Sequence, residues 1–385
     1  MPRLLYYSPG SSGGLADYAH EQAIALAELG VEVVMLSSPA YSRHKSGGSY
    51  TLLPLLKEPR PHSGGECVAI RKLCNFYILL YNYAKLAQTI SRGKFRHVLF
   101  GSYAEYFAPL WAWRFRRFAR AGAVFGAVVH DPVRDYVYGP LWWHRRSITS
   151  AYSFMREAFV HDNILLDTGI PMPQMCTTII PIGSLHFPLP TESREETRRR
   201  LKIPRDAFLI LSFGHIRDGK NLDLAIKSIA QFPNIFLLVA GKEQSSGQKP
   251  IRFYQELAKS LGVHNRCRWL NEFIQEDAVG NLFIASDLIL LSYSRNFRSA
   301  SAVLSAAVTY RKPCLASCGE GNLHFVVQKY TLGWLIEPDS VSALRQGLDR
   351  AIGSQIAPRW DAYETEQSWS HNAKIVADRM FGNHA

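Results

Sequence analysis

The chain has 385 residues, which corresponds to about two domains at roughly 100–200 residues each. Lys and Arg number 44 and Asp and Glu 32, so the formal net charge is +12, while 47% of the residues are hydrophobic and 20% are charged. This composition excludes an intrinsically disordered chain, which lacks the apolar surface needed to offset its ordering entropy. The positive charge is typical of proteins that meet nucleic acid, an anionic membrane or phosphorylated substrates.

The six cysteines are scattered and form no CxxC pair. The sequence therefore predicts neither a zinc site nor a disulfide framework, and it fits a reducing compartment. The first residues lack a signal-peptide pattern because they reach a Gly/Ser loop by residue 10. No apolar run approaches the about 18 residues that a membrane span needs. We therefore expect a cytoplasmic protein without a bound metal.

Residues 1–184 alternate short apolar runs with helical patterns. Strands are predicted at 4–8, 31–36, 97–101 and 124–129, helices at 15–29, 69–90, 105–120 and 145–158, and a long loop at 40–66. Short strands at 159–160 and 178–182 are expected around a small helix. Residues 185–206 then break the pattern with prolines and a charge run, which predicts a linker and a capped helix with Thr191 and Glu192 near its start.

A second series follows the linker. Strands are predicted at 208–213, 235–240, 267–270, 288–291 and 313–316, and helices at 221–231, 252–261, 276–285, 300–310 and 340–352. Two successive βα series predict an α/β protein with two doubly wound parallel sheets. The predicted domains are 1–186 and 187–365, with a C-terminal helix in 366–385 packing back on the first. Ligands are expected at the carboxyl ends of the strands, in the cleft between the domains.

A glycine-rich turn joins the first strand to the first helix. Gly13 and Gly14 would let backbone N–H groups and a helix N-terminus approach an anion or a sugar. A plain βα turn is the structural alternative. The sequence SPGSSGGL is no GxGxxG fingerprint and no acidic residue ends the second strand, which excludes a dinucleotide site of the usual kind.

Two His-Asp pairs follow apolar runs in the first series. His130 and Asp131 come at the end of the run at 124–129, where an imidazole can bind a hydroxyl group or act as a base. His161-Asp162 repeats the pair with a weaker signal. The alternative for both is a strand-end histidine held by local structure.

In the second series, Arg217 and Lys220 lie just before a helix. Two cations at a helix N-terminus suit a diphosphate, although solvated loop charge is the alternative. The small-residue turn Ser299-Ala300-Ser301 opens a later helix, and its amides and hydroxyls suit phosphate. An ordinary serine N-cap is the alternative there.

Basic and aromatic residues are interleaved in two stretches, WAWRFRRFAR at 111–120 and LWWHRR at 141–146. Such mixtures are typical of surfaces that lie against lipid headgroups. An aromatic stripe at helical spacing is also typical of a buried core. Both interpretations stay open, and the chain carries no recognition-helix or base-stacking motif that would favour nucleic acid.

The order of these parts resembles the GT-B glycosyltransferases, in particular the family 4-like bacterial enzymes that use nucleotide-sugar donors. The resemblance covers nearly the whole chain and rests on the early Gly-Gly loop, the strand-end His130, GHIRDGKN at 214–221, LVAG at 238–241, SDLILLSY at 286–293, the Ala-x4-Lys-Pro-x-x-Ala run at 307–316 and GWLIEPDS at 333–340. It implies two Rossmann-like domains facing a cleft, with the N-terminal one binding the acceptor.

The sequence departs from that family at the donor loop. Retaining members carry a Glu-x7-Glu pair, whereas this chain has Arg298 and Ala306 at those positions. Directly after Gly214, where the family usually has Arg, this chain has His215. The loop instead looks like a variant with small residues at 299–301.

The resemblance implies transfer of a sugar from a nucleoside-diphosphate donor, UDP- or GDP-linked, to a glycan or lipid-linked acceptor in cell-surface glycan synthesis. Arg217, Lys220 and the amides near 299–301 would stabilise the negative charge growing on the leaving diphosphate, without a metal or a separate cofactor. His130 would contact the donor sugar or act as a base assisted by Asp131. The nucleotide would lie against residues 214–215, Gly241, Ile274 and Arg298.

Three other functions stay open. The chain could be another nucleotide-sugar enzyme, such as an epimerase, or a non-catalytic GT-B module in a polysaccharide assembly, which the missing Glu pair favours. The possibility of a nucleic-acid binder rests only on the positive net charge. The preferred expectation is a transferase, cytoplasmic or peripheral on the inner face of the membrane.

Overall fold

A computed structural model describes the chain except for residues 42–48, 60–67, 131, 133–136, 138, 164, 184–186, 244–247, 298–300 and 383–385. The chain divides into two compact units. Unit 1 comprises Met1–Gly183 and Gln367–Ala385, and unit 2 comprises Ser184–Glu366. Within the described residues, no helix combines the length and the apolar character needed to cross a bilayer.

Unit 1 is a parallel sheet covered by helices. Its strands are β1 (Arg3–Tyr7), β2 (Glu32–Ser37), β3 (Thr51–Pro54), β4 (His97–Phe100), β5 (Val124–Val128), β6 (Glu157–Val160) and β7 (Cys176–Ile179). Its helices are α1 (Gly14–Glu28), α2 (Val68–Gly93), α3 (Ala108–Arg120), α4 (Leu141–Tyr152) and, from the C-terminus, α13 (Trp369–Phe381). The strand order is β3-β2-β1-β4-β5-β6-β7, and every pair is parallel. The predicted doubly wound sheet is confirmed.

Aromatic packing holds α2 and α3 on this sheet. The Trp111 ring stacks on Tyr83 at 3.8 Å, and Phe115 packs edge-on against Phe100 and Phe125. All five side chains are buried, and each contributes roughly 1.5–3 kcal/mol by leaving water. Every third or fourth residue of α3 therefore faces the sheet.

The last helix belongs to unit 1 because a buried polar network holds it there. The Asn372 side chain donates to Tyr18 Oη at 2.9 Å and to the Pro181 carbonyl at 2.7 Å, and it accepts from Gln22 Nε2 at 2.7 Å. The Arg379 guanidinium pairs with the buried carboxylate of Glu157 at 2.8 Å. These contacts tie the two distant sequence segments of unit 1 together.

Unit 2 repeats the architecture. Its strands are β8 (Phe208–Phe213), β9 (Ile235–Ala240), β10 (Cys267–Leu270), β11 (Leu288–Ser292), β12 (Cys314–Ser317) and β13 (Gly333–Leu335). Its helices are α5 (Arg194–Arg200), α6 (Leu222–Ile229), α7 (Ile251–Ser260), α8 (Glu276–Ala285), α9 (Ala302–Thr309), α10 (Asn322–Lys329), α11 (Val341–Gly353) and α12 (Trp360–Glu366). The order β10-β9-β8-β11-β12-β13 makes β8 the strand at which the winding reverses, and ligands of such sheets bind near that reversal.

Several local predictions were wrong. The expected loop at 40–66 contains β3, which pairs with β2 from Val34↔Thr51 onwards. No helix lies in the described part of 161–175, where a small one was expected. The capped helix expected after the linker is confirmed as α5, whose N-cap Ser193 forms a reciprocal capping box with Glu196. Thr191 and Glu192 lie just before that cap.

The charge run after the linker is largely structural. Arg198 is buried, and its guanidinium donates to Asp287 Oδ2 at 2.6 Å. The same carboxylate oxygen accepts the Leu209 amide at 2.7 Å. Arg198 of α5 therefore links the starts of β8 and β11 through Asp287, and its positive charge is paired within unit 2.

Candidate functional site

Three strand ends come together at the carboxyl edge of the unit 2 sheet. The Gly214 amide donates to the Ala240 carbonyl at 2.9 Å, and the Gly241 amide donates to the Leu270 carbonyl at 2.9 Å. Both glycines have positive φ, +87° and +145°. A side chain at Gly241 would collide with the carbonyl of Gly214. Only glycine therefore allows the loops after β8 and β9 to lie this close.

Lys220 lies directly beside this edge. It ends a 3₁₀ turn, Asp218–Lys220, and its ammonium donates to the Phe213 carbonyl. A Cβ on Gly214 would come within 3.1 Å of Lys220 Nζ, so the glycine also leaves room for the cation. Burial, and then the like charge of Arg217, lower the pKa of Lys220 from 10.5 to about 7.

The turn that carries Lys220 is held from β11. The Ser292 hydroxyl donates to the Lys220 carbonyl at 2.7 Å, and the Ser294 amide donates to the Gly219 carbonyl at 2.9 Å. Because these bonds fix the backbone before and after Lys220, the side chain that carries the ammonium begins at a defined position.

A second set of bonds holds the same turn from α7. The Asp218 carboxylate accepts from the Lys249 amide at 2.9 Å and from Tyr254 Oη at 3.1 Å. Tyr254 is completely buried, and burial together with the Asp218 charge raises the pKa of its hydroxyl. This support was not predictable from the sequence, because Tyr254 lies 36 residues from Asp218 and belongs to no motif.

The start of α9 faces the same edge of the sheet. The Ser301 hydroxyl caps the helix by accepting the Leu304 amide at 3.3 Å and forms a 3.0 Å hydrogen bond with Tyr293 Oη. The Phe297 ring stacks on Tyr293 at 4.1 Å. The other candidates of this loop, Arg298, Ser299 and Ala300, lie outside the described residues. Ser301 therefore has its capping role, which is the structural alternative considered for this turn.

The remaining unit 2 candidates differ in exposure. His215 is exposed, Arg217 is half-buried, and Ile274 packs partly buried against the unit 2 core just after β10. Ala306 is buried in α9, inside the same core. The unit thus brings Gly214, Lys220 and Gly241 into direct proximity, whereas Ala306 is a packing residue.

In unit 1, Gly13 and Gly14 open α1. Gly13 is its N-cap with φ +78°, which favours glycine, and its carbonyl accepts the Ala16 and Asp17 amides at 2.9 and 3.1 Å. A side chain at either glycine would meet nothing within 4 Å. Backbone conformation therefore favours glycine at position 13, whereas Gly14 has neither a positive φ nor a crowded Cβ position.

His130 lies at the end of β5, close to the start of α1. Its Nε2 donates to the Gly101 carbonyl at 2.9 Å, which fixes the proton on that nitrogen. The ring contacts Tyr18 edge-on, with centroids 4.7 Å apart, and lies 5.3 Å from the ring of His161. Its predicted helper Asp131 lies outside the described residues.

His161 is the buried member of this ring cluster. Its Nδ1 donates to the Ile180 carbonyl at 3.2 Å. Burial, and then the proximity of His130, lower the pKa of His161 from 6.5 to about 3, so the ring is neutral at physiological pH. The second His-Asp pair thus contributes a core imidazole beside the first.

In the part of the chain that the structure describes, no group of three or more His, Cys, Asp or Glu residues is arranged to hold a metal ion.

The family model for glycosyl transferases group 1 matches residues 193–376. Among curated relatives, the D-inositol 3-phosphate glycosyltransferase of Mycolicibacterium smegmatis is 26% identical over 188 residues, covering 48% of this chain and 42% of the relative. The enzyme of the same name from Streptomyces griseus is 27% identical over 234 residues, covering 57% and 48%. The chain spans less than half the length of these relatives.

Solved structures match over nearly the whole chain. A glycosyltransferase from Rickettsia africae gives a TM-score of 0.72 at 16% identity, covering 99% of both chains. Anabaena Alr3699/HepE in complex with UDP and glucose gives 0.66 at 15%, covering 99% of this chain and 96% of that one. WaaG, a glycosyltransferase involved in lipopolysaccharide biosynthesis, gives 0.61 at 18%, covering 100% of both. These likenesses show the fold, two Rossmann-like units as in the GT-B glycosyltransferases.

Proposed function

We propose that the chain transfers a sugar from a nucleoside-diphosphate donor to an acceptor hydroxyl, which the match of residues 193–376 to the family model for glycosyl transferases group 1 supports. One observation carries the proposal. Lys220, a cation held on a fixed turn, lies beside the close-packed Gly214 and Gly241 at the reversal point of the unit 2 sheet. That position suits the diphosphate of a donor.

The proposed reaction makes one bond and breaks one. The acceptor oxygen bonds to the anomeric carbon, the bond from that carbon to the β-phosphate oxygen breaks, and the acceptor loses its proton. The electron pair of the broken bond stays on the β-phosphate oxygen, so the leaving diphosphate gains one negative charge. Lys220 and Arg217 would stabilise this growing charge, and preorganised charges of this kind are a large source of rate enhancement.

The donor proposed first is a UDP-sugar, with a GDP-sugar as the alternative. The structural neighbour HepE was solved with UDP and glucose, which supports testing uridine first. The nucleotide would lie along the loops that carry His215, Gly241 and Ile274. We propose a metal-independent reaction, since the two cations of residues 217–220 can balance the diphosphate.

Unit 1 is proposed to bind the acceptor, a glycan or a lipid-linked glycan. The hydrogen bond from His130 Nε2 to the Gly101 carbonyl fixes the orientation of the ring at the end of β5. His130 would contact the donor sugar or take the acceptor proton, with Asp131 as helper. The chain would act in the cytoplasm, on the inner face of a membrane with anionic lipids, and contribute to cell-surface glycan synthesis.

Nucleotide binding tests the proposal directly. Thermal unfolding is followed with UDP, GDP, ADP and TDP, each with and without magnesium. A nucleotide at about 100 times its Kd stabilises the native state by about 2.7 kcal/mol. We expect a shift with UDP or GDP that is independent of magnesium and is absent from Lys220→Ala. A shift with none of the four, or an equal shift in Lys220→Ala, contradicts the site.

A non-catalytic binding module is the second candidate. Ala306 is buried in the unit 2 core at the position where the resembled family carries a carboxylate. Such a module would bind the nucleotide yet neither transfer nor hydrolyse the sugar. Incubation with a radiolabelled UDP-sugar separates the two, because a transferase releases UDP with acceptor present.

A further inference from the structure

Three consecutive helices of unit 1 leave large apolar side chains in water. We call this surface the aromatic–basic face and define it by its exposed apolar residues, Ile70, Leu73, Tyr77, Leu110, Trp113, Leu141 and Trp142. The most exposed are Leu73 at 68% and Trp142 at 64%. Two large rings of the 111–120 stripe, Trp111 and Phe115, belong instead to the core. Grouped apolar exposure of this kind marks an interaction site.

The three helices meet at one aromatic junction. The Phe107 ring, at the N-cap of α3, packs against Phe76 of α2 at 4.8 Å and lies 6.3 Å from Trp143 of α4. Each neighbour adjoins an exposed ring in sequence, Tyr77 and Trp142 respectively. Trp143 and Phe107 also line a shared pocket between the starts of α3 and α4. The exposed apolar groups therefore belong to three helices that pack together at one aromatic junction.

The charge of the same helices has a single sign. Helix α2 contains four Lys or Arg residues, α3 contains four and α4 contains two, and none of the three contains an Asp or a Glu. Lys57 adds a cation at the border, where its ammonium lies 5.0 Å from the Tyr77 ring. The face thus combines apolar surface with a positive potential that no carboxylate of these helices offsets.

The two kinds of side chain are ordered along each helix. The exposed row of α3 runs Leu110, Trp113, Arg117 and Arg120, from apolar at its start to basic at its end. Helix α4 repeats this order, with exposed Leu141 and Trp142 followed one turn later by exposed Arg145 and Arg146. Aromatic rings next to long cationic chains suit a bilayer, where rings enter the interface and guanidinium groups reach phosphate.

We propose that the aromatic–basic face docks on a bilayer that contains anionic phospholipid, with the apolar residues entering the headgroup region. The inference rests on the proposed membrane partner of the chain and names the surface that makes the contact, including α2, which the sequence did not suggest. Charge complementarity selects anionic lipid: each basic residue near such a surface contributes an attraction of several-fold in binding.

Vesicle flotation tests the face. The full chain is floated with phosphatidylcholine vesicles and with vesicles that also contain about 30% phosphatidylglycerol. We expect flotation with the anionic vesicles only. The double variant R145Q/R146Q should partition roughly 30-fold more weakly, and Trp142→Ala about 10-fold more weakly, since it removes a large exposed ring. Added salt should release the wild-type chain.

Matched controls lie in unit 2. R252Q/K259Q removes two exposed cations of that unit, and Phe325→Ala removes an exposed ring of it. Both should float as the wild-type chain does. Absence of wild-type flotation, equal loss in the control variants, or unchanged flotation of R145Q/R146Q and Trp142→Ala would each overturn the proposal. The UDP-induced thermal shift is measured on every variant, so loss of docking is distinguished from loss of the nucleotide site and from misfolding.

Discussion

Replacing Lys220 with methionine should stabilise the fold and abolish nucleotide binding. The ammonium is held in a site where burial and Arg217 lower its pKa from 10.5 to about 7. The unfolded chain keeps this lysine charged up to about pH 10.5, whereas the native chain loses the proton above pH 7. The lysine therefore destabilises the native state, and methionine fills similar volume without a charge.

The size of the effect follows from the two pKa values. At pH 7.5 the lysine costs the native state about 4 kcal/mol by proton linkage. The bond from its ammonium to the Phe213 carbonyl returns about 1 kcal/mol, so the net gain of Lys220→Met is about 3 kcal/mol. The gain is largest below pH 7 and shrinks as pH rises, by about 2 kcal/mol between pH 7.5 and pH 9.

The assay is chemical unfolding of the wild-type chain and of Lys220→Met at pH 7.5 and at pH 9, with a fluorescence probe of unit 2. Nucleotide binding is measured on the same samples. Lys259→Met, which removes an exposed lysine of α7, is the control and should change the free energy of unfolding little. A variant less stable than the wild-type chain, or a gain that does not shrink at pH 9, would refute the reasoning.

Two further predictions concern unit 1. Because the pKa of His161 is lowered to about 3, the native chain keeps this ring neutral, whereas the unfolded chain protonates it below about pH 6.5. The free energy of unfolding should therefore fall by about 1.4 kcal/mol per pH unit below pH 6.5. In acid titrations, His161→Phe should show a shallower dependence of this free energy on pH. Asn372→Ala should lower the free energy of unfolding by about 3 kcal/mol, since it breaks three buried hydrogen bonds, whereas exposed Lys374→Ala should change it by less than about 0.5 kcal/mol. A denaturant midpoint for Asn372→Ala equal to that of Lys374→Ala would contradict the network.

The alternation of strands and helices was predictable because it is a local property. Runs such as 208–213 and 235–240 are apolar apart from Ser212, which is typical of strands buried on both faces, and the structure has β8 and β9 at those bounds. Strand β3 was not predictable in this way. Its four residues include Pro54, and they become a strand only by pairing with β2. The formation of β3 therefore depends on its pairing with β2 and not on its local sequence.

The same distinction between local and tertiary properties applies to the candidate site. Lys220 and Gly214 were found from a single stretch of sequence, because a βα loop carries its own chemistry. The supports of that loop come from elsewhere: Tyr254 lies 36 residues from Asp218, and Ser292 lies 72 residues from Lys220. Neither residue type marks a function on its own. Only the fold brings their hydroxyl groups to this turn.

The unit 2 edge combines features that weaken the fold with features that fix it in place. A buried ammonium costs free energy, and bonds from β11 and α7 to the 218–220 turn hold the backbone that carries it. In the proposed complex, a diphosphate would neutralise the Lys220 ammonium, which the hydrogen bond to the Phe213 carbonyl stabilises only in part. The pKa of Lys220 would then rise, and binding would take up a proton. A site that is costly when empty and neutralised when filled is what donor binding requires, whereas a purely structural lysine at this turn would have been better replaced by an apolar residue.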